Sequence, residues 1–218
     1  MNWDWDYAID SLPLLFQGIV VTVELTVLGA LLAYALGLVL ALVRQVRVPV
    51  LSQLVYLFVE FIRSTPLLIQ VFAFYYLLQP ALGLRLSPFV TGFVMLGIHY
   101  ATYTSEVYRA GIDAVPKGQW EAARALSLPR GRVWTGVILP QAVPRVLPSL
   151  GNYTISMFKE TPLLLAIGVL DVLNRAQEAA SETFRYVEPV TLAGVFFLLV
   201  SYPASILVRK LERRAGTV

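Results

Sequence analysis

The feature that most constrains this chain is the collection of its apolar residues into long runs. Five stand out, at about 15–43, 53–78, 87–108, 144–170 and 189–208. Each is long enough for a helix across a bilayer, which needs about 20 residues. Hydrophobic residues make up 57% of the 218 and charged residues only 14%. Soluble domains carry about a quarter charged residues. The chain is therefore expected to be all-α, an integral membrane bundle of about five transmembrane helices, forming one unit over residues 1–218.

The distribution of Lys and Arg orients such a bundle. Arg44 and Arg47 follow the first run. Arg109, Lys117, Arg124, Arg130, Arg132 and Arg145 lie between the third and fourth, and Arg209, Lys210, Arg213 and Arg214 follow the fifth. With five spans all these segments fall on one side. The other side holds only Arg85, Arg175 and Arg185 beside Asp4, Asp6, Asp10, Asp171, Glu178, Glu182 and Glu188. The N-terminus is expected outside and the C-terminus in the cytoplasm. The start of the chain is acidic and aromatic (Trp3-Asp4-Trp5-Asp6), unlike a signal peptide, so no cleavage is expected. Trp3, Trp5 and Tyr7 suit an interfacial belt.

Four charges fall inside apolar runs: Glu60 and Arg63 in the second, Lys159 and Glu160 in the fourth. A charge at a span's centre costs about 2.5–3.5 kcal/mol, so such residues pair or face a wet cavity. Their surroundings repeat. Arg63-Ser64-Thr65-Pro66-Leu67-Leu68 and Lys159-Glu160-Thr161-Pro162-Leu163-Leu164 share basic-x-Thr-Pro-Leu-Leu. Proline removes a backbone donor and clashes with the preceding turn, so both spans should break here. Paired interruptions of spans point to a transporter's binding site. Glu60, Arg63, Ser64, Thr65, Lys159, Glu160 and Thr161 are the candidate solute-pathway residues. Two positive and two negative charges suit a zwitterion. The competing reading is a structural ion-pair cluster of Glu60, Arg63, Lys159 and Glu160 that fixes helix register. His99, near Tyr100 and Tyr103, reads as a hydrogen-bonded packing residue. Gly29, Ala33, Gly37 and Ala41 recur every four residues, a stripe for close helix packing.

Several chemistries are excluded. The chain has no cysteine and one histidine, so no disulfide, thiolate or Cys-ligated zinc is available, and no metal site is expected. No Gly-x-x-x-x-Gly-Lys-Ser/Thr occurs, so no phosphate cradle and no bound cofactor are expected, and an energy source must lie elsewhere. No catalytic constellation is legible and no enzyme is expected. The basic segments are too short and too mixed in sign for nucleic acid.

The longest polar segment, about 109–140, has turn chemistry at Pro116-Lys117-Gly118 and helix-forming residues from Gln119 to Leu128. Pro129 can start a second short helix through Val137, with Pro140 ending it. Trp120, Ala123 and Leu126 or Ser127 fall near one face of the first helix, an apolar strip suited to a partner's groove.

Here the chain resembles a known family. Glu121-Ala122-Ala123-Arg124-Ala125-Leu126-Ser127, ending in Val137-Ile138-Leu139-Pro140, is similar to the "EAA" loop of bacterial ABC importer permeases. Glu106-Val107-Tyr108-Arg109-Ala110-Gly111-Ile112, Val115-Pro116-Lys117-Gly118-Gln119 and the two Thr-Pro-Leu-Leu stretches resemble its polar amino acid branch. The stretch Ala125 to Arg132 and the Trp-rich start look most like ectoine or hydroxyectoine permeases. One departure is Ser127, where the family usually has glycine.

The resemblance implies a five-span permease in the bacterial inner membrane that pairs with itself or a relative. Two ATPase subunits would dock on the helix at Gln119–Leu128, with Glu121, Ala122, Ala123 and Ser127 as coupling residues. ATP would be bound by those partners, and an extracytoplasmic solute-binding protein would deliver the solute. The alternatives are an ion-coupled secondary carrier with no ATPase partner, and a non-transporting membrane scaffold.

Overall fold

The computed structural model describes residues 3–46 and 48–214; Arg47, counted above among the residues after the first run, lies outside them. Every regular element among the described residues is helical. The five long passages are α1 (Trp5–Val46), a bent pair of α2 (Pro49–Arg63) and α3 (Leu67–Phe72), α5 (Pro88–Asp113), α8 (Leu139–Glu160) and α10 (Val187–Arg214). After α3 the helix widens into a π-helical segment, Ala73–Leu78, and closes with α4 (Gln79–Ala81). Two short helices, α6 (Lys117–Ala125) and α7 (Arg130–Val133), connect α5 to α8. A 3₁₀ segment, Thr161–Ile167, prolongs α8 and leads to α9 (Val172–Thr183).

Each boundary has a local cause. Pro49 and Pro88 sit in the first turn of their helices, where the missing N–H is not needed. Ser87 caps α5 through its hydroxyl and Val90 N, and Asp171 caps α9 through Asn174 N at 2.9 Å. Gly168, at φ 79°, ends the 3₁₀ segment in the left-handed region that glycine tolerates. Pro140 does not end a helix as expected. It lies in the first turn of α8, and α7 runs into α8 through the π-helical turn Trp134–Ile138. α9 was not legible as a helix in the sequence.

The helices Trp5–Gln45 and Val187–Arg213 are each long and apolar enough to cross a bilayer alone, and the pair Pro49–Arg63 with Leu67–Ala81, bent by 107°, makes a third. α5 has the length but not the hydropathy. It buries His99, Thr102, Thr104 and Ser105 against its neighbours instead of facing them to lipid.

Helices in a bilayer gain little from hiding apolar surface, so close packing and interhelical hydrogen bonds hold them together. α1 and α5 run against each other along their lengths, and the stripe of small residues forms their seam. Ala33 is fully buried, and Thr104 Oγ1 donates to its carbonyl at 2.9 Å. A Cβ on Gly37 would stand 2.1 Å from Thr104 Oγ1 and 2.9 Å from Ala101 O. At Gly18 the obstacle is backbone, with Val172 Cα at 2.6 Å. Tyr34 hydroxyl bonds Leu150 O on α8 at 3.0 Å and also Thr154.

The two ends of the bundle differ. At one end Tyr7 hydroxyl donates to Ala179 O at 2.8 Å, and Arg185 joins Asp4 at 3.2 Å and Glu188 at 2.6 Å. At the opposite end Arg44 meets Glu106, which also binds Arg109 at 2.7 Å. The seam predicts a contrast. Gly37→Val should cost about 1–3 kcal/mol through overpacking, read as a lower thermal midpoint of the detergent-solubilised chain. Gly194→Ala, with open space around its Cα in the interior of α10, should not lower the midpoint.

Candidate functional site

Both Thr-Pro stretches disturb their helices, each in its own way. Pro66 has no N–H, so the carbonyl of Ile62, four residues earlier, loses its helical donor. Thr65 N and Thr65 Oγ1 reach Ile62 O at 3.4 and 3.3 Å. Gln70 supplies the shorter contacts, with Nε2 2.7 Å from Ile62 O, 3.0 Å from Thr65 O and 2.7 Å from Thr65 Oγ1. Its Oε1 lies 2.9 Å from His99 Nδ1. At the second stretch Pro162 deprives Phe158 O, and Thr161 Oγ1 donates to that carbonyl at 3.0 Å. The position matching Gln70 is Ala166, and here the chain tightens into the 3₁₀ segment and does not fold back.

The structure brings the two stretches together. Leu67 and Val71 of α3 pack in one apolar cluster with Leu164 and Ile167 of the 3₁₀ segment. Tyr76 hydroxyl donates to Ala166 O at 3.1 Å.

The intramembrane charges do not form one cluster. Glu60 pairs with Arg63 on its own helix at 3.6 Å, with side chains 44% and 36% exposed. Lys159 is exposed and makes no ion pair among the described residues, which corrects the four-charge reading. Glu160 Oε2 is buried without a hydrogen-bond partner, while the carboxylate interacts with the hydroxyl of buried Tyr100. Ser64 is exposed and Thr161 fully buried. Between Arg63 and Glu160 stands an aromatic group. The Arg63 guanidinium lies 5.3 Å from the Tyr103 ring centre, within cation–π range. Tyr103 is 6.0 Å from Tyr100 and 5.5 Å from Tyr153, and His99 is 5.3 Å from Tyr103. A cavity of about 400 Å³ adjoins this group, with Arg63, Tyr103, Glu106, Arg145, Ser149 and Tyr153 in its walls. Its lining follows α5 from Tyr103 to Ala114, towards the end that carries α6.

α6 is amphipathic, but its apolar side faces inward. Ala123 is 2% exposed, and Trp120 meets Trp134 edge to face at 5.4 Å over a cluster containing Ile112, Val115, Ile138 and Ala142. Trp120 and Ala123 of the strip expected to enter a partner's groove are thus covered by this chain, whereas Leu126 and Ser127 stay exposed. Glu121, Ala122, Arg124 and Ala125 are exposed, as is Leu126 just past the helix, at 73%. Ser127 is also exposed, and its backbone is left-handed at φ 51°. Ser127 N donates to Arg124 O at 2.9 Å and Leu128 N to Ala123 O at 3.1 Å, a Schellman end that favours glycine at this residue. Sequence reasoning missed Gln70, which a spacing of four after Pro66 marks, and Arg44–Glu106, which nothing in the sequence marks.

A helical membrane bundle with paired interrupted helices, a polar crevice between them and an exposed helix at one end defines a membrane transport component. The chain belongs to the family described as binding-protein-dependent transport system inner membrane component, whose profile matches residues 33–217. It is 43% identical to the probable amino-acid ABC transporter permease protein y4tG of Sinorhizobium fredii, over 95% of this chain and 90% of that one. It is 34% identical to the glutamine transport system permease protein GlnP of Escherichia coli K12, over 98% of each. A solved structure described as an amino acid ABC transporter with histidines superposes with a TM-score of 0.91 at 33% identity, covering 98% of this chain and all of that one.

The strained end of α6 yields a prediction. A left-handed residue other than glycine costs about 1–2 kcal/mol. Ser127→Gly should therefore slow hydrogen exchange at the amides of residues 121–128 by roughly five-fold or more, without changing the rest of the chain. Equal exchange in the two proteins would show that Ser127 carries no strain.

Proposed function

We propose that this chain is the permease subunit of an ABC importer for a polar amino acid. It sits in the bacterial inner membrane with its N-terminus outside and its C-terminus in the cytoplasm. It pairs with a second permease subunit, receives solute from an extracytoplasmic binding protein and is driven by ATPase subunits docked on α6. ATP is held by those subunits. The observation that carries the solute reading is the separation of charge across one aromatic group, with Arg63 at one side and the unpartnered carboxylate oxygen of Glu160 at the other. A zwitterion matches both ends. Its carboxylate would meet Arg63, its ammonium group would meet Glu160, and the tyrosine rings would line the space between. The relatives named for amino acids favour an amino acid over ectoine.

On α6, Glu121 and Ala122 are placed to contact an ATPase because they are exposed, whereas Ala123 and Ser127 shape the helix that presents them. The cavity below Tyr103 extends towards this end, as a release path into the cytoplasm requires. The secondary-carrier reading gives α6 nothing to do.

Uptake in vesicles that contain this chain, its ATPase, its binding protein and any second permease subunit tests the proposal. Glutamine, arginine, histidine and ectoine would be offered with and without ATP. ATP-dependent uptake of one amino acid is expected, with Glu121→Arg abolishing uptake while leaving the isolated permease folded. A charge-assisted hydrogen bond is worth about 1.5–3 kcal/mol. Glu160→Gln should thus raise KM roughly ten- to hundred-fold. Uptake that ignores ATP and follows an imposed ion gradient overturns the importer reading.

A further inference from the structure

The bend between α2 and α3 has a lock that the transport reading does not use. Gln70 lies beyond the break, on α3, yet its amide reaches back to the last turn of α2. The orientation of that amide is fixed by its partners. Ile62 O and Thr65 O can only accept, so the side that faces them is the nitrogen, and the oxygen faces His99. His99 Nδ1 must then carry a hydrogen and donate it. Both side chains are buried, Gln70 at 8% and His99 at 7% exposure, so water offers neither a substitute partner. Thr65 Oγ1 donates to Phe61 O at 3.0 Å and receives the third contact from Gln70.

From this arrangement we infer that Gln70, oriented by His99, is a clasp that holds the 107° elbow and thereby sets where Arg63 and Glu60 stand beside the aromatic group. The contacts of Gln70 run from α3 to carbonyls of the preceding limb, so straightening the elbow breaks them. A carbonyl without a donor in a membrane interior is costly, which makes the bent geometry the satisfied one. His99 belongs to α5 and stands 5.3 Å from Tyr103, so the clasp also ties the elbow to the wall of the pathway. Gln70 and His99 act as positioning residues. The link to solute rests on the importer reading, whereas the elbow geometry does not.

The test measures both. The chain has no cysteine, so Leu54→Cys and Leu77→Cys, exposed on the two limbs, accept spin labels cleanly. Distances between the labels would be recorded in the assembled transporter in nanodiscs, with labelled chain diluted by unlabelled chain. Gln70→Leu and His99→Phe should each broaden or shift the distance distribution. His99→Asn, which keeps a donor, should preserve it. In reconstituted vesicles the first two should raise solute KM at least ten-fold with kcat within two-fold. The double variant should be no worse than Gln70→Leu alone. If Gln70→Leu does not assemble, His99→Phe carries the test, because it leaves the donors of Gln70 in place. A wild-type distance distribution in assembled His99→Phe or Gln70→Leu overturns the clasp. A shifted distribution with wild-type KM overturns its role at the pathway. A shifted distribution in a transporter that imports no amino acid keeps the clasp and removes the importer reading.

Discussion

Two prolines in membrane helices set a condition that the rest of the site meets. Each removes the donor for a carbonyl four residues back, and lipid hydrocarbon offers no hydrogen-bond donor in its place. At both breaks the residue before the proline is threonine, and its hydroxyl turns back to that turn of helix. At the second break this suffices, and the chain continues as a tight 3₁₀ segment to Gly168. At the first, Gln70 donates from beyond the break, which it can do only if α3 folds back over the end of α2. Among the side chains that differ between the two stretches, Gln70 against Ala166 is the one that supplies or withholds a donor, and it accompanies the difference between an elbow and a tightened helix.

The consequences travel through α5. Its buried hydroxyls and small residues let α1 approach closely, and its tyrosines stand between the two breaks. Its lower end leads into α6, and Ile112 shares a cluster with Ile138, Trp120 and Trp134. A displacement of α6 therefore presses on the helix that carries Tyr103 and, through the π-helical turn before α8, on the helix that carries Tyr153. The inward-facing Trp120 packs α6 against the bundle.

Much of this was legible in the sequence, for physical reasons that also mark where legibility ends. Five apolar runs and two repeated Thr-Pro stretches report on solvent and missing donors, which are local properties. Partners are not local. Glu60, Arg63, Lys159 and Glu160 invite one cluster on paper, but a turn of α8 points Lys159 outward and leaves Glu160 with Tyr100. Periodicity found the apolar face of α6 but could not say which body covers it, and Ala123 proved to be covered by its own chain. α9 escaped because its helix is polar and, beyond its local cap Asp171, Thr22 and Gly18 fix it by contacts far apart in sequence. The serine at residue 127 read as a tolerable departure from glycine; its left-handed backbone gives the reason glycine is preferred there.

The two charged ends of the proposed pathway are unequal, and the inequality bears on how a zwitterion would be held. Arg63 already has Glu60 at 3.6 Å in a half-exposed pair. Such a pair is worth about 0–1 kcal/mol, so a solute carboxylate can replace Glu60 at little cost and gain little by doing so. Glu160 has no ion partner among the described residues to surrender. Its buried oxygen lacks a hydrogen bond, and an ammonium group that donates to it relieves an existing penalty. Affinity should therefore reside mainly at the Glu160 end, with Arg63 fixing direction. An amine without a carboxylate would then bind better than a carboxylate without an amine, although the cavity walls carry Arg63 and Arg145 and would by charge count alone favour the anion.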